Sequence, residues 1–491
     1  MMMSDISKHA ENNMAAELLK RDQRQAASPR QNISTSSNFY TSGDGRLFCE
    51  NLGVKHVQYE LSRKTEYASP FYLYSRAQIE DNVRQYKTAL EKHGVNNLLG
   101  FTVQANNNLE ILRLLQKLGC SAVCSSGNEM RIAMMAGFNP SLMVFNGNGK
   151  LQSELEFAVK CNSMINVDSL FDLQHIIKAC KMFQKNARVL MRLHPDLQSD
   201  SLQDNADVES TKFGMHQNDF DSALQIVKVE PLIELVGLHC HLEASIENVD
   251  LFKASLEHIM DWIDKVRDMG FDIHYLNMGE GLGLNYRRHI EVEDSQLKPK
   301  DFVSSIADIV KAKDIRLILE PGMSIIGNTG ILVTKVVGVK TNENKNFIVI
   351  DGSMAEVIRP TLYGAYHYIQ LIEPTQCKKE GRKFDVVGPI RESTDFLAEG
   401  HYLPYPHEGC GLAIRDVGAY CSTMSSNYNM RQKPAEVLVE GSTWRIIRHA
   451  ETFDDLLKPY LGLPSLGVYK EYIDTTEVHL GTMHPWLTWM H

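Results

Sequence analysis

Gly100-Phe101-Thr102-Val103-Gln104-Ala105-Asn106 reads as the end of a short buried strand that runs into a polar tip. A helix is predicted directly behind it, from about Asn108 through Leu118, because Leu109, Leu112, Leu115 and Leu118 keep helical spacing. A buried strand feeding an amphipathic helix is the unit from which α/β folds are built, so the fold depends on how often that unit recurs.

It recurs along the chain. Candidate strands are Leu98 to Val103, Ser121 to Cys124, Leu142 to Phe145, Met164 to Val167, Arg188 to Leu193, Ile233 to His241, Ile273 to Asn277 and Arg316 to Glu320. Helical patterns lie between them; Asp250 to Met269 is long and amphipathic, and Gly270 is placed to close it. Such alternation predicts a (β/α)8 TIM-type barrel. Beyond Pro321 the pattern changes to β-branched runs such as Ile331 to Val339 and Phe347 to Asp351, which predict a second, mainly β domain of sandwich or barrel-like form. The expected organisation is a polar, disordered tail over residues 1–43, a segment 44–73 that contributes to the β domain, the barrel over 74–321, and the C-terminal β domain over 322–491. Active sites of such barrels sit at the carboxyl ends of the strands. Gln104, His241, the run Gly279 to Gly281, and Glu320 fall there by strand count alone.

Composition narrows the function classes. The chain has 491 residues, enough for a large core and a second module. A net charge of -10 with mixed signs supplies no basic face, so no nucleic-acid partner is expected. The 9 cysteines show no CxxC pair and no metal-ligand spacing; free thiols in a reducing, cytoplasmic setting and no metal site are expected. No apolar run is long enough to span a bilayer. The first forty or so residues lack an apolar segment and are interrupted by Asp5, Glu11, Glu17 and Asp22, which argues against a secretory or transit leader.

Motifs in a fixed order connect these elements. They are Ser126-Gly127-Asn128-Glu129, Asn146-Gly147-Asn148-Gly149-Lys150, Ser210-Thr211-Lys212-Phe213-Gly214, Gly237-Leu238-His239-Cys240-His241, and Asn277-Met278-Gly279-Glu280-Gly281-Leu282-Gly283. Glu320-Pro321-Gly322, the run from Ile358 to His367, Val387-Gly388-Pro389-Ile390-Arg391-Glu392-Ser393, and Gly418-Ala419-Tyr420 follow. In this order the chain resembles the fold-type III, alanine-racemase-like pyridoxal-phosphate enzymes, and most closely the diaminopimelate decarboxylases. The resemblance implies a cofactor site in which His241 stacks on the pyridine ring and Glu320 pairs with its nitrogen. It further implies that Gly279, Gly281, Gly322 and Tyr420 lie at the phosphate and Arg192 near the ring. Arg359, Tyr363 and Glu392 would line a substrate pocket shared with a partner subunit.

The departures from that pattern are chemical. The family motif at the first strand runs aromatic, Ala, hydrophobic, Lys, Ala, Asn, and its lysine holds the cofactor as an imine; here Gln104 stands at the lysine position, and a carboxamide forms no imine. Ala244 replaces a serine, Met323 replaces an arginine, and Arg391 replaces the cysteine that serves as proton donor. Glu243 and Glu280 add carboxylates to the implied phosphate region, which opposes a dianion. Arg391 is a candidate partner for one of these acids. These substitutions lead to the expectation of weak or absent pyridoxal phosphate binding and of a protein that has lost ordinary Schiff-base decarboxylation. It would act as a homodimer, as a heterodimer with an active paralogue, or as a binder of a small amino-acid-like ligand. The alternative is an active specialised amino-acid decarboxylase, or another reaction in the same pocket, with rescue by a lysine such as Lys150 or Lys212.

Overall fold

The computed structural model describes residues 38–65, 68–194, 211–241, 249–279, 281–290, 296–374 and 378–461. Eight parallel strands close into a barrel. They are β1 (Asn97–Thr102), β2 (Ser121–Cys124), β3 (Val144–Phe145), β4 (Met164–Val167), β5 (Ala187–Arg192), β6 (Ile233–His239), β7 (Tyr275–Asn277) and β8 (Arg316–Leu319). Closure is made by Leu99 of β1 in register with Leu319 of β8, while Gly100 pairs with Ser121 on the other side of β1.

Alternation along each strand separates two cores. Leu98, Val123, Val144, Met164, Leu190, Val236 and Ile318, one from each of seven strands, form a small inner cluster. Their neighbours Leu99, Phe101, Ala122, Phe145, Ile165 and Leu319 belong instead to the larger core beneath the helices. Gly100 faces the interior, where a Cβ would stand 2.7 Å from Val123 Cγ2. The same alternation carries the inner face of β1 through Thr102 toward Gln104 and that of β8 toward Glu320.

Sequence and structure differ at several ends. The strand expected over Leu142 to Phe145 begins only at Val144, because Pro140–Leu142 form a tight turn whose start is capped by the Asn139 side chain accepting from Ser141 N–H. Gln104 lies two residues beyond β1, in the single turn Val103–Ala105. The following helix, Leu109–Lys117, starts where Asn108 Oδ1 accepts from the N–H groups of Glu110 and Ile111 at 3.0 and 3.4 Å. The long helix spans Val249–Asp268, and Gly270 takes the left-handed φ of 93° that a Cβ would oppose.

The β domain is built from both ends of the chain. Phe71–Ser75 lies between Gly330–Asn342, to which it is antiparallel, and Ala435–Glu440, to which it is parallel. Its apolar sequence, Phe-Tyr-Leu-Tyr-Ser, suits a strand buried on both faces. Phe39–Thr41 falls within the stretch expected to be tail, yet it is a strand paired with Leu47–Cys49. Phe39 is buried, and the Arg415 guanidinium sits 5.3 Å over its ring, so an aromatic anchor holds this strand down. Residues 1–37 lie outside the described residues.

Candidate functional site

The inner face of each strand, followed two residues past the apolar cluster, gives a polar layer at the carboxyl end. Val144 leads to Asn146, Met164 to Asn166, Leu190 to Arg192, Tyr275 to Asn277 and Ile318 to Glu320. On β6, whose pairing with β5 shifts register between Leu235 and Gly237, the same face carries Gly237, His239 and then His241. Glu320 is buried at 4 % exposure among amide donors. Asn146 Nδ2 reaches its two carboxylate oxygens at 3.0 and 2.9 Å, and Asn277 Nδ2 donates to Oε1 at 2.5 Å. Charge-assisted bonds of this kind offset the cost of desolvating a carboxylate. Asn277 is itself oriented, because its Oδ1 accepts from Gly279 N–H at 3.0 Å. Gly279 has φ of 71°, and a Cβ there would stand 2.0 Å from His241 Nδ1, so only glycine lets the turn close over that ring.

His239 is almost wholly enclosed, at 1 % exposure, and neither ring nitrogen has a hydrogen-bond partner. Burial pushes its imidazole well below the ordinary range, and the nearby Arg192 charge adds to the effect. For His241 the same two causes, burial first, push the value down to about 3. Both rings are therefore neutral at neutral pH. The ligand-capable atoms of His239, His241 and Glu320 all lie within 4.8 Å of one another. Sequence reading expected no metal ligand set and passed over His239, although the spacing of His239 and His241 on one strand already puts both on one face.

Lys150 sits in a different environment. Its ammonium is held by Asp172 at 2.6 Å and by the Gly147 carbonyl at 2.6 Å, with both charged side chains 1 % exposed. Burial lowers its pKa, against the pull of Asp172. Arg192 lies 3.7 Å from Asp168, whose carboxylate also accepts from Gly214 N–H at 3.1 Å, and its guanidinium stacks 4.7 Å over the Phe213 ring. Lys212 is exposed, with its ammonium 5.1 Å from the centre of the same Phe213 ring.

The β domain supplies the remaining candidates. Tyr420, with φ of 56°, donates its N–H to the Ala105 carbonyl at 2.9 Å, and Asn106 Nδ2 reaches the Gly418 carbonyl at 3.0 Å. These bonds tie the loop carrying Tyr420 to the turn carrying Gln104. Arg359 is buried, stacked 4.5 Å over Tyr286 and 3.5 Å from His367 Nε2. Tyr363 is 63 % exposed, and Arg391 is exposed with its backbone N–H bonded to Asn429 Oδ1 at 2.8 Å, so these two do not join the buried layer in the single chain. Glu392 Oε1 accepts from Ser393 Oγ at 3.1 Å. Gly322 precedes the short helix Met323–Ile326, and Gly281 has φ of 77°. Glu243, Ala244 and Glu280 lie outside the described residues, and so does any pairing of Arg391 with those acids.

The polar layer offers a carboxylate acceptor at Glu320, and among the described residues of the mouth no free amine stands beside it. An imine needs a primary amine at the mouth; Gln104 offers a carboxamide, and the Lys150 amine is sealed in its ion pair.

A closed parallel barrel joined to a β domain with strands from both chain ends, with a histidine and a glutamate at the ends of β6 and β8, defines the fold-type III decarboxylase class. The profile of the pyridoxal-dependent decarboxylase pyridoxal-binding domain matches residues 76–327, and the chain belongs to that family. It is 42 % identical over 439 residues to a probable chloroplastic diaminopimelate decarboxylase of Oryza sativa subsp. japonica, covering 89 % of this chain and 87 % of that one. It is 34 % identical to the diaminopimelate decarboxylase of Aquifex aeolicus over 86 % of this chain and 97 % of the relative. The crystal structure of diaminopimelate decarboxylase from M. jannaschii superposes with a TM-score of 0.80 at 30 % identity, covering 87 % and 99 % of the two chains. The protein is thus diaminopimelate-decarboxylase-like in fold and sequence.

Proposed function

We propose that this protein is a diaminopimelate-decarboxylase-like pseudoenzyme, which retains the barrel and its buried acid but does not perform lysine-anchored decarboxylation. The observation that carries this reading is the absence, among the described residues of the predicted site, of an amine able to form the imine. Gln104 occupies the anchoring position, and Lys150 is bonded to Asp172 at 2.6 Å. A guanidinium at position 391 does not release its proton near neutral pH, so the proton donor expected of the family is missing too. Pyridoxal phosphate, the family's cofactor, would bind weakly or not at all. The polar layer would then serve a small amino-acid-like ligand, and the chain would act as a homodimer or as the silent half of a heterodimer with an active paralogue. No disulfide joins the described cysteines, which suits a cytoplasmic location, and no helix among the described residues is long and apolar enough to cross a membrane.

One observation favours the second reading, an active but altered decarboxylase: Glu320 keeps the Asn146 and Asn277 amide donors in a buried site. What this chain's residues supply in that case is an acceptor for a ligand N–H at Glu320 and a neutral ring at His241. The test is titration of the purified full chain with pyridoxal phosphate, borohydride reduction and mass mapping of lysines. The expected result is no reduced lysine adduct. A saturable imine band with one mapped lysine overturns the pseudoenzyme reading in favour of the second.

A further inference from the structure

We propose that His239, His241 and Glu320 form a site for one divalent first-row transition-metal ion, of the zinc type in ligand preference. The three ligand atoms come from strand ends separated by β7 alone and lie within 4.8 Å of one another. Ligands about 2.0–2.2 Å from a tetrahedral zinc stand roughly 3.4 Å apart, so closure by at most about 1.4 Å through side-chain rotation completes the set. Two imidazoles and one carboxylate suit zinc, iron or cobalt and do not suit magnesium or calcium, which take oxygen ligands.

His239 points to the ion most directly. An imidazole at 1 % exposure with two unbonded nitrogens is a buried polar group whose cost nothing among the described residues offsets. A metal bond would supply the missing partner. Glu320 is held in place from behind by Asn146 and Asn277, and Asn277 by Gly279 N–H, which is the outer support that carboxylate ligands require. The positive charges that act on this site are Arg192, beside Asp168 at 3.7 Å, and Lys150, paired with Asp172 at 2.6 Å. Three protein ligands leave the remaining coordination positions for water or for a small ligand bearing a carboxylate or amine.

This inference rests on the reading that no lysine-held cofactor fills the mouth, because Glu320 cannot serve both a ring nitrogen and a metal. The two are separable by experiment. The full-length chain, freed of pyridoxal phosphate, is dialysed against Zn2+ for elemental analysis and titrated with Co2+ while visible spectra are recorded. One tight equivalent is expected, with the spectrum of a four- or five-coordinate ion and no thiolate charge-transfer band. His239→Ala and Glu320→Gln should each weaken binding by about 100-fold. No bound equivalent, or binding equal in both variants and the unaltered chain, overturns the site. Should either variant fail to fold by circular dichroism, X-ray absorption on the unaltered zinc-loaded chain decides: two imidazole shells support the site, and sulfur ligands overturn it. A borohydride-trapped lysine adduct would refute the pseudoenzyme reading and this inference with it, whereas absence of metal binding with no adduct would refute this inference alone.

Discussion

The two sides of the barrel mouth differ in how their polar groups are held. At the end of β1, Gln104 is exposed on a single turn and its side chain is one that water can serve. Across the mouth, Glu320, His239 and Asn277 are enclosed, with Glu320 satisfied by three amide contacts and His239 by none. An exposed position tolerates a change of chemistry at little cost in stability, whereas a buried polar group constrains every neighbour that must hydrogen-bond it. A carboxamide at position 104 therefore costs the fold little, while the acid side is fixed by its neighbours.

That contrast can be broken most forcefully through the buried charges. Asp172→Ala leaves the Lys150 ammonium enclosed with only the Gly147 carbonyl, and unfolding in urea should show a loss of about 3–5 kcal/mol. A loss under 1 kcal/mol would mean that the pair is wetter than its burial indicates. Next in size is Asn277→Ala, which removes one donor from Glu320 and the acceptor of Gly279 N–H; about 2–3 kcal/mol is expected by the same measurement.

Glu356 sharpens the comparison, because it is an equally buried acid with a poorer set of donors. Its carboxylate takes 2.8 and 2.7 Å bonds from Ser353 N–H and Oγ, yet burial raises its pKa to about 7. Between its ordinary value and about 7, the native state holds a proton that the unfolded chain has released. This contribution to stability is full below the unfolded value and is lost as pH rises through the folded one, by roughly 2 kcal/mol from about pH 5 to about pH 7. Glu356→Gln should flatten that slope; an unchanged pH profile would assign it elsewhere. The smallest change in stability is expected for Gln104→Lys, within about 0.5 kcal/mol by thermal melting. Its chemical effect is the informative one: borohydride should then trap pyridoxal phosphate at position 104, and failure to do so would show that the acid side no longer accepts the ring.

Much of the fold was legible locally. Ser121–Cys124 and Met164–Val167 match their predicted bounds, because a short apolar run between turn residues has few alternatives as a buried strand. Val144 begins later than expected, since Asn139 and Pro140 form a turn that apolar character alone does not reveal. Phe39–Thr41 was missed because its burial depends on Arg415, far along the chain. Of the site, Gln104, His241 and Glu320 were legible from strand ends and motif order. Asn146, Asn277 and His239 were not, although each follows an inner-facing residue by the period of two.

The sequence by itself determined the repeating strand and helix pattern and the presence of a carboxamide at position 104. Both follow from local properties, the alternation of apolar residues and the covalent nature of a carboxamide, which no folding alters. Only the tertiary structure decided that Asn146 meets Glu320 across 174 residues, that Lys150 is sealed by Asp172, and that His239 is enclosed with both nitrogens unbonded. Hydrogen bonding and desolvation act between neighbours in space, and barrel closure brings strand ends remote in sequence into one dry layer where those terms are largest.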